Sequence, residues 1–408
     1  MLEQWVDQHR DDLLGFAAKL VATPSPNPPG HEQAVVAVIL AEMERLGLDG
    51  AQIAAKEPHR PNVILHVRGK RPGATLMLCG HSDTKPVGDT VEWRTDPLEP
   101  VFRDGKLYGL GSTDMKGAVA AMVYATAALK QCDVHLAGEL LLVIDADEER
   151  SMSFGSEYLA AECGIEADVA LLGEPSGIDG PEFEFLHILS RGLSCFKIRV
   201  RGTQMHSSLS DRMPSTNASL KLALVLARMQ SELRLTFDPH PLCAVPTVNL
   251  GVKIEGGVGY GVYPGVAEFQ SDIRTLPGMT HEQLKTDLER CLQRIRDDDP
   301  SLDVELEFEK TPLDWFPPTE VNADHPLVDM LLDVAQHVVG QRPKLSAFPG
   351  GTDAKNFQTI AGIPTIPSFG PGWLPLAHGP NECVGIEAIV QAAKVYALVA
   401  QRFLKTES

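Results

Sequence analysis

Six residues whose side chains bind cations or move protons are spaced along the first 175 positions in a pattern that suits hydrolysis. His81 and Asp83 lie in CGHSD, Glu148 and Glu149 in DADEE, and Glu174 in GEP, each motif following a short apolar run. Asp114 ends the loop YGLGSTD, just ahead of a helical pattern. Taken singly, each has an ordinary reading. A carboxylate before a helix is usually an N-cap, Glu148-Glu149 could open a solvated helix, and His81 could be hydrogen-bonded at a strand end. Together they resist that reading, because several carboxylates converging on one crevice repel each other unless a cation neutralises them. Imidazole and carboxylate donors suit zinc, with manganese or cobalt as substitutes. Two divalent ions about 3.5–4 Å apart would share a water, lower its pKa and stabilise both sides of a tetrahedral intermediate. Asp114, alone in its loop, suits the bridging position between them.

Convergence requires a particular scaffold. Apolar runs at 62–67, 75–79, 140–144 and 169–172 read as buried strands, and the periodic stretches 115–130 and 153–162 as crossover helices, the pattern of a largely parallel, doubly wound sheet. Ligands of open α/β sheets bind beyond the carboxyl ends of the strands, which is where the motifs fall. The texture changes near residue 187: CFKIRVRG alternates apolar and polar positions, as a strand with one buried face does. A helix at 217–233, a strand at 247–254, the turn-rich EGGVGYGVYPG, a strand at 267–274, a helix at 281–296 and a strand at 302–309 follow. That order is a split βαβ arrangement. Past Trp315 the α/β texture returns, with a helix at 325–339, a strand at 363–368 and a closing helix at 382–404. The expected fold is therefore α/β, a mostly parallel sheet sandwiched by helices and formed by 1–186 and 312–408, interrupted by an inserted α+β domain of βαββαβ order at 187–311.

Composition narrows the partners. The 408 residues carry 55 acidic against 36 basic side chains, a formal charge of -19, and such a field repels nucleic acid and anionic membranes. Seven cysteines without a C-x-x-C pair suit reduced thiols. The first twenty residues interleave charges with apolar positions, reading as an amphipathic helix and not a signal peptide. No apolar run reaches about 18 residues, and a cytoplasmic protein acting on a small molecule is expected.

The ordered motifs GHSDTKPVGD, WRTDP with DGKLYGLGSTDMKG, DADEE, GEPSG, RGTQMHSSLSD with NAS, PTVNLG, GGTDAKNF and AHGPNECV resemble, over nearly the whole chain, the M20 family of metallopeptidases and deacylases, which includes acetylornithine deacetylase, succinyl-diaminopimelate desuccinylase and carboxypeptidase G2-like enzymes. The resemblance implies one ion held by His81, Asp114 and Glu174 and a second by His378, Asp114 and Glu149. On its own, His378 is a lone histidine in a turn. The resemblance also makes Asp83 the partner that orients His81 and Glu148 the general base. His206 would reach into a neighbouring subunit's site to polarise the scissile carbonyl, in a homodimer built through the inserted domain. Arg274 and Lys355 would bind a substrate carboxylate, as of an N-acyl amino acid or dipeptide.

Departures from the family pattern bear on substrate. Lys355 stands where many relatives have arginine, giving a point charge in place of a bidentate fork. Gly261 replaces an asparagine and Leu110 an arginine. Tyr260, Tyr263 and Trp373 read as pocket lining or as packing. A second reading therefore keeps the site and changes the bond, to an N-carbamoyl amide or an aromatic amine with release of ammonia. A third, of another class, is a non-catalytic peptide-binding protein on the same fold. The general base at Glu148 speaks against it.

Overall fold

A computed structural model describes residues 1–405. The chain divides into two compact units, Met1–Ser190 with Thr319–Phe348 and Thr352–Ser408, and Arg191–Pro318 with Pro349–Gly351.

The first unit is built on a six-stranded sheet in the order Gln52–Ala54, Asn62–Arg68, Ala137–Asp145, Arg71–His81, Val169–Leu172, Thr365–Ile366. The last four run parallel; the first two are antiparallel and close one edge. Central strands covered on both faces must be apolar at successive positions, and LLLVI within Ala137–Asp145 and LMLC within Arg71–His81 are buried throughout. On one face Met77, Cys79, Leu141 and Val143 pack with Leu159, Ala354 and Phe357 from the helices Ser156–Glu162 and Ala354–Thr359. The helices Gly117–Gln131 and Ile386–Phe403 contact the sheet and each other. Gly117–Gln131 is alanine-rich and buried on nearly every side, so its small side chains let two layers approach it closely.

The boundaries differ from the sequence expectation for a physical reason. The strand Phe185–Ser190 pairs with Thr319–Glu320 and, in parallel, with Lys344–Phe348, so it belongs to the first unit and the second begins at Arg191 instead of 187. The expected strand at 363–368 shrinks to Thr365–Ile366. The closing helix starts at Ile386 and not 382, because Cys383–Gly385 pairs with the strand Lys106–Tyr108.

The second unit holds an antiparallel sheet in the order Thr247–Gly256, Val266–Thr275, Gly192–Arg201, Asp303–Phe308. With the helices Ala218–Glu232 and His281–Asp298 the chain order is βαββαβ. Phe196, Ile198, Val200, Phe269 and Ile273 pack with Leu222, Val225, Leu288 and Leu292, which is the one-sided burial that the alternation in Gly192–Arg201 dictates. All seven cysteines are free thiols. Among the described residues, no helix is long and apolar enough to cross a membrane.

Candidate metal centre

Parallel register brings the first donors level. His81 pairs with Asp145 and Cys79 with Leu172, so His81 and Glu174 each lie two residues beyond a matched pair, and Glu148 and Glu149 follow in the turn after Asp145. His81, Asp114, Glu149 and Glu174 are all buried, and Glu148 is partly so. Two groups of possible ligand atoms lie within 4.8 Å of one another, one from His81, Glu148 and Glu174 and one from His81, Asp114 and Glu149.

Asp114 caps no helix. The helix behind it starts at Gly117 without a side-chain cap, and the carboxylate instead faces two histidines. Its Oδ1 is 3.0 Å from His81 Nε2 and its Oδ2 is 3.1 Å from His378 Nε2. His378 Nε2 is also 3.0 Å from Glu149 Oε1, and His81 Nε2 is 3.7 Å from Glu174 Oε1. The loop that aims Asp114 turns at Gly111, whose φ of +77° belongs to the left-handed region. A Cβ there would meet Thr84 Cγ2 at 2.5 Å.

Electrostatics test whether this cluster suits cations. His81 Nδ1 lies 3.0 Å from the backbone oxygen of Asp83, an acceptor. That contact fixes Nδ1 as the protonated nitrogen, so the neutral ring turns the lone pair of Nε2 toward a carboxylate oxygen, and only a proton or a cation can make the pair attractive. Burial would lower the His81 pKa, but Asp114 and Glu174 raise it well above the usual range. For His378 burial also opposes the charged form, and Asp114 with Glu149 lifts it to about 10. Burial followed by neighbouring carboxylates pushes Glu148 and Glu174 well up. Glu149 Oε1 is buried without a hydrogen-bond donor despite its close approach to His378. Carboxylate and imidazole acceptors crowded together, whose contacts only a proton or a cation can make attractive, form a donor set that fits divalent cations.

Further groups hold the cluster in place. The Asp83 carboxylate accepts from the backbone N–H groups of Glu148 and Glu149 at 3.3 and 3.2 Å and from Asn27 Nδ2 at 2.8 Å, while its distance to His81 Nδ1 is 3.6 Å. Asp83 therefore orients His81 through its main-chain oxygen and the DADEE turn through its side chain. Asn27 also donates to Asp147, which Arg60 joins to Glu32 in a buried ion-pair chain. Lys85 Nζ is 3.1 Å from Glu149 Oε2. Sequence reading missed Asn27, Lys85, Arg60 and Glu382, although Lys85 and Glu382 stand inside the motifs GHSDTKPVGD and AHGPNECV.

The other expected site residues have different surroundings. Lys355, in the helix Ala354–Thr359, is partly buried beside the buried Asp353. In the second unit, His206 is exposed and its Nδ1 accepts from Ser208 N–H, while Arg274 Nε lies 3.6 Å from Asp272. The Trp373 indole donates to Gly180 O at 2.9 Å, Leu110 is buried, and Tyr260 is fully exposed.

A mostly parallel sheet that brings His81 and Glu174 at its strand ends, and His378 from a later turn, around Asp114 has the donor set of a metal-dependent hydrolase. Residues 77–402 match the family model described as peptidase family M20/M25/M40, and the chain belongs to that family. It is 29% identical over 398 residues to acetylornithine deacetylase of Photorhabdus laumondii, covering 94% of this chain and 95% of that one. It is 26% identical over 428 residues to N-formyl-4-amino-5-aminomethyl-2-methylpyrimidine deformylase of Bacillus subtilis, covering 97% and 95%. The structure of human carnosine dipeptidase 1 superposes with a TM-score of 0.74 at 20% identity, over 99% of this chain and 98% of that one. The protein is an enzyme, a metal-dependent hydrolase of amide bonds in small substrates, and the non-catalytic reading falls.

Proposed function

We propose that the protein removes an acyl group from a small carboxylate-bearing amide, such as an N-acyl amino acid or a dipeptide. His81, Asp114 and Glu174 would hold one divalent ion and His378, Asp114 and Glu149 the other, with zinc native and cobalt or manganese able to substitute. When bound, the ions supply an acidified water and a polarised acyl carbonyl. Glu148 takes a proton from the attacking water at its carboxylate; as the carbon–nitrogen bond breaks it delivers that proton to the leaving nitrogen, giving an acid and an amine. Positive charge beside Glu148 would lower the pKa that burial and its acidic neighbours raise. His206 would polarise the carbonyl in a neighbouring subunit of a homodimer, and Arg274 and Lys355 would select the substrate carboxylate. A cytoplasmic location accords with seven free thiols.

The observation that carries the reading is the division of the Asp114 oxygens between two histidines. The test is to strip the protein with a chelator, reload it with zinc, cobalt or manganese, and assay a panel of N-acyl amino acids and dipeptides. Metal-dependent release of acyl acid supports it; inactivity across the panel with every metal overturns the substrate class. Lysine in place of arginine at 355 favours a second reading, in which an N-carbamoyl or aromatic carbon–nitrogen bond is cut. Ammonia without an acyl acid among the products would select it.

A further inference from the structure

Glu382 is nearly inaccessible to solvent, four residues beyond His378, at a position where sequence periodicity reads the start of a helix. Its side chain does something else. Glu382 Oε1 accepts the backbone N–H groups of Thr113 at 2.9 Å and Asp114 at 3.1 Å, and Oε2 accepts that of Gly111 at 3.0 Å. Its own carbonyl oxygen accepts the N–H of Gly109 at 3.0 Å. The next residue continues the seam, since Thr113 Oγ1 donates to Cys383 O at 2.9 Å. Five bonds thus join the 109–114 loop, which ends in Asp114, to the segment that follows His378.

We propose that Glu382 is a positioning residue for the two-ion centre: by holding the N–H groups of Gly111, Thr113 and Asp114 it sets the angle at which the Asp114 carboxylate divides between His81 and His378, and it ties the His378 loop to that angle. The inference rests on the metal reading above. Three inward N–H groups need acceptors when buried, and a carboxylate can serve all three because both its oxygens accept. An amide cannot, because its nitrogen would face the Gly111 N–H with hydrogens of its own. Asp114 must point one oxygen to each histidine, so a small rotation of its backbone would disturb both ions at once, which is why the brace acts on the peptide that carries the shared ligand.

The test compares full-length wild type and Glu382→Gln, both freed of metal, by zinc titration against a competing chelator, with thermal unfolding of the metal-free forms alongside. The expected result is a variant that folds, binds both zinc ions about 10–100-fold more weakly, the usual effect of losing an outer partner of a metal ligand, and shows weakening at both sites. A purely structural role would lower the metal-free melting temperature and leave zinc affinity unchanged, and that result would overturn the proposal. Should Glu382→Gln not fold, Glu382→Asp, which keeps a carboxyl group with a shorter reach, is titrated in the same way and is expected to bind both zinc ions more weakly than wild type; wild-type affinity there would overturn it as well. A wild type that takes up no zinc sinks the metal reading and this inference with it. A wild type that binds two ions beside an equally avid variant sinks this inference alone.

Discussion

His378 meets Asp114 at 3.1 Å through the carboxylate oxygen that His81 does not touch. In the proposed assignment this one side chain would join two donor groups whose other members do not overlap, and its replacement would separate them. In Asp114→Asn one histidine would face an amide nitrogen. Since loss of an outer partner alone weakens a site about 10–100-fold, we expect this variant to retain fewer than two ions by elemental analysis and to lose more than a hundredfold in activity. Two tightly held ions in the variant would contradict the shared role.

As the proposed general base, Glu148 would separate chemistry from metal binding. Glu148→Gln keeps the size of the side chain and removes its basicity, so kcat should fall by about 10²–10⁴-fold while metal content stays at the wild-type level. An unchanged kcat would reassign the proton transfer.

Behind the site, Arg60 is buried between Glu32 and Asp147, at 2.8 Å from each. Arg60→Met leaves two buried carboxylates without their cation, and breaking a buried pair in this way costs about 3–5 kcal/mol. Urea unfolding should show a loss of that size. A loss under about 1 kcal/mol, the range of exposed pairs, would mean that Asn27 and water satisfy both acids.

His187, on the strand Phe185–Ser190, gives the protein an acid-sensitive element that is not among the proposed metal ligands. Burial lowers its pKa from 6.5 to about 4, offset only in part by the backbone of Ser176 and Ala347. The unfolded chain therefore takes up the proton first as pH falls. Stability from this group is complete above pH 6.5 and declines toward pH 4, by about 3 kcal/mol in all. His187→Leu should lose less stability than wild type between pH 7 and 4 in denaturant titrations; parallel pH profiles would refute the assignment.

Much of this arrangement is legible in the sequence, for identifiable reasons. Parallel central strands bury both faces, so they read as unbroken apolar runs, and the ends of LMLC, LLLVI and VALL suffice to locate His81, Glu148, Glu149 and Glu174 at one crevice. Asp114 is legible as a candidate bridging ligand from its place alone in the YGLGSTD loop, but its aim at two particular histidines is not, because a carboxylate ahead of a helix is more often a cap. Glu382 misleads in the same way: its neighbours continue a helical period, and only the strand pairing of Cys383–Gly385 turns it inward. Asn27 is silent, since its partners Asp83 and Asp147 are 56 and 120 residues away.

That dispersal along the chain sets an order of events. The donors around Asp114 run from residue 81 to residue 378, each on a separate strand end or loop, and no short stretch contains a usable pair of histidines. On the proposed assignment the first ion could meet three donors once residue 174 has emerged, whereas the second would wait for His378, 204 residues later. Uptake of the second ion would then mark completion of the first unit, and a chain truncated before residue 378 could hold at most half of its metal.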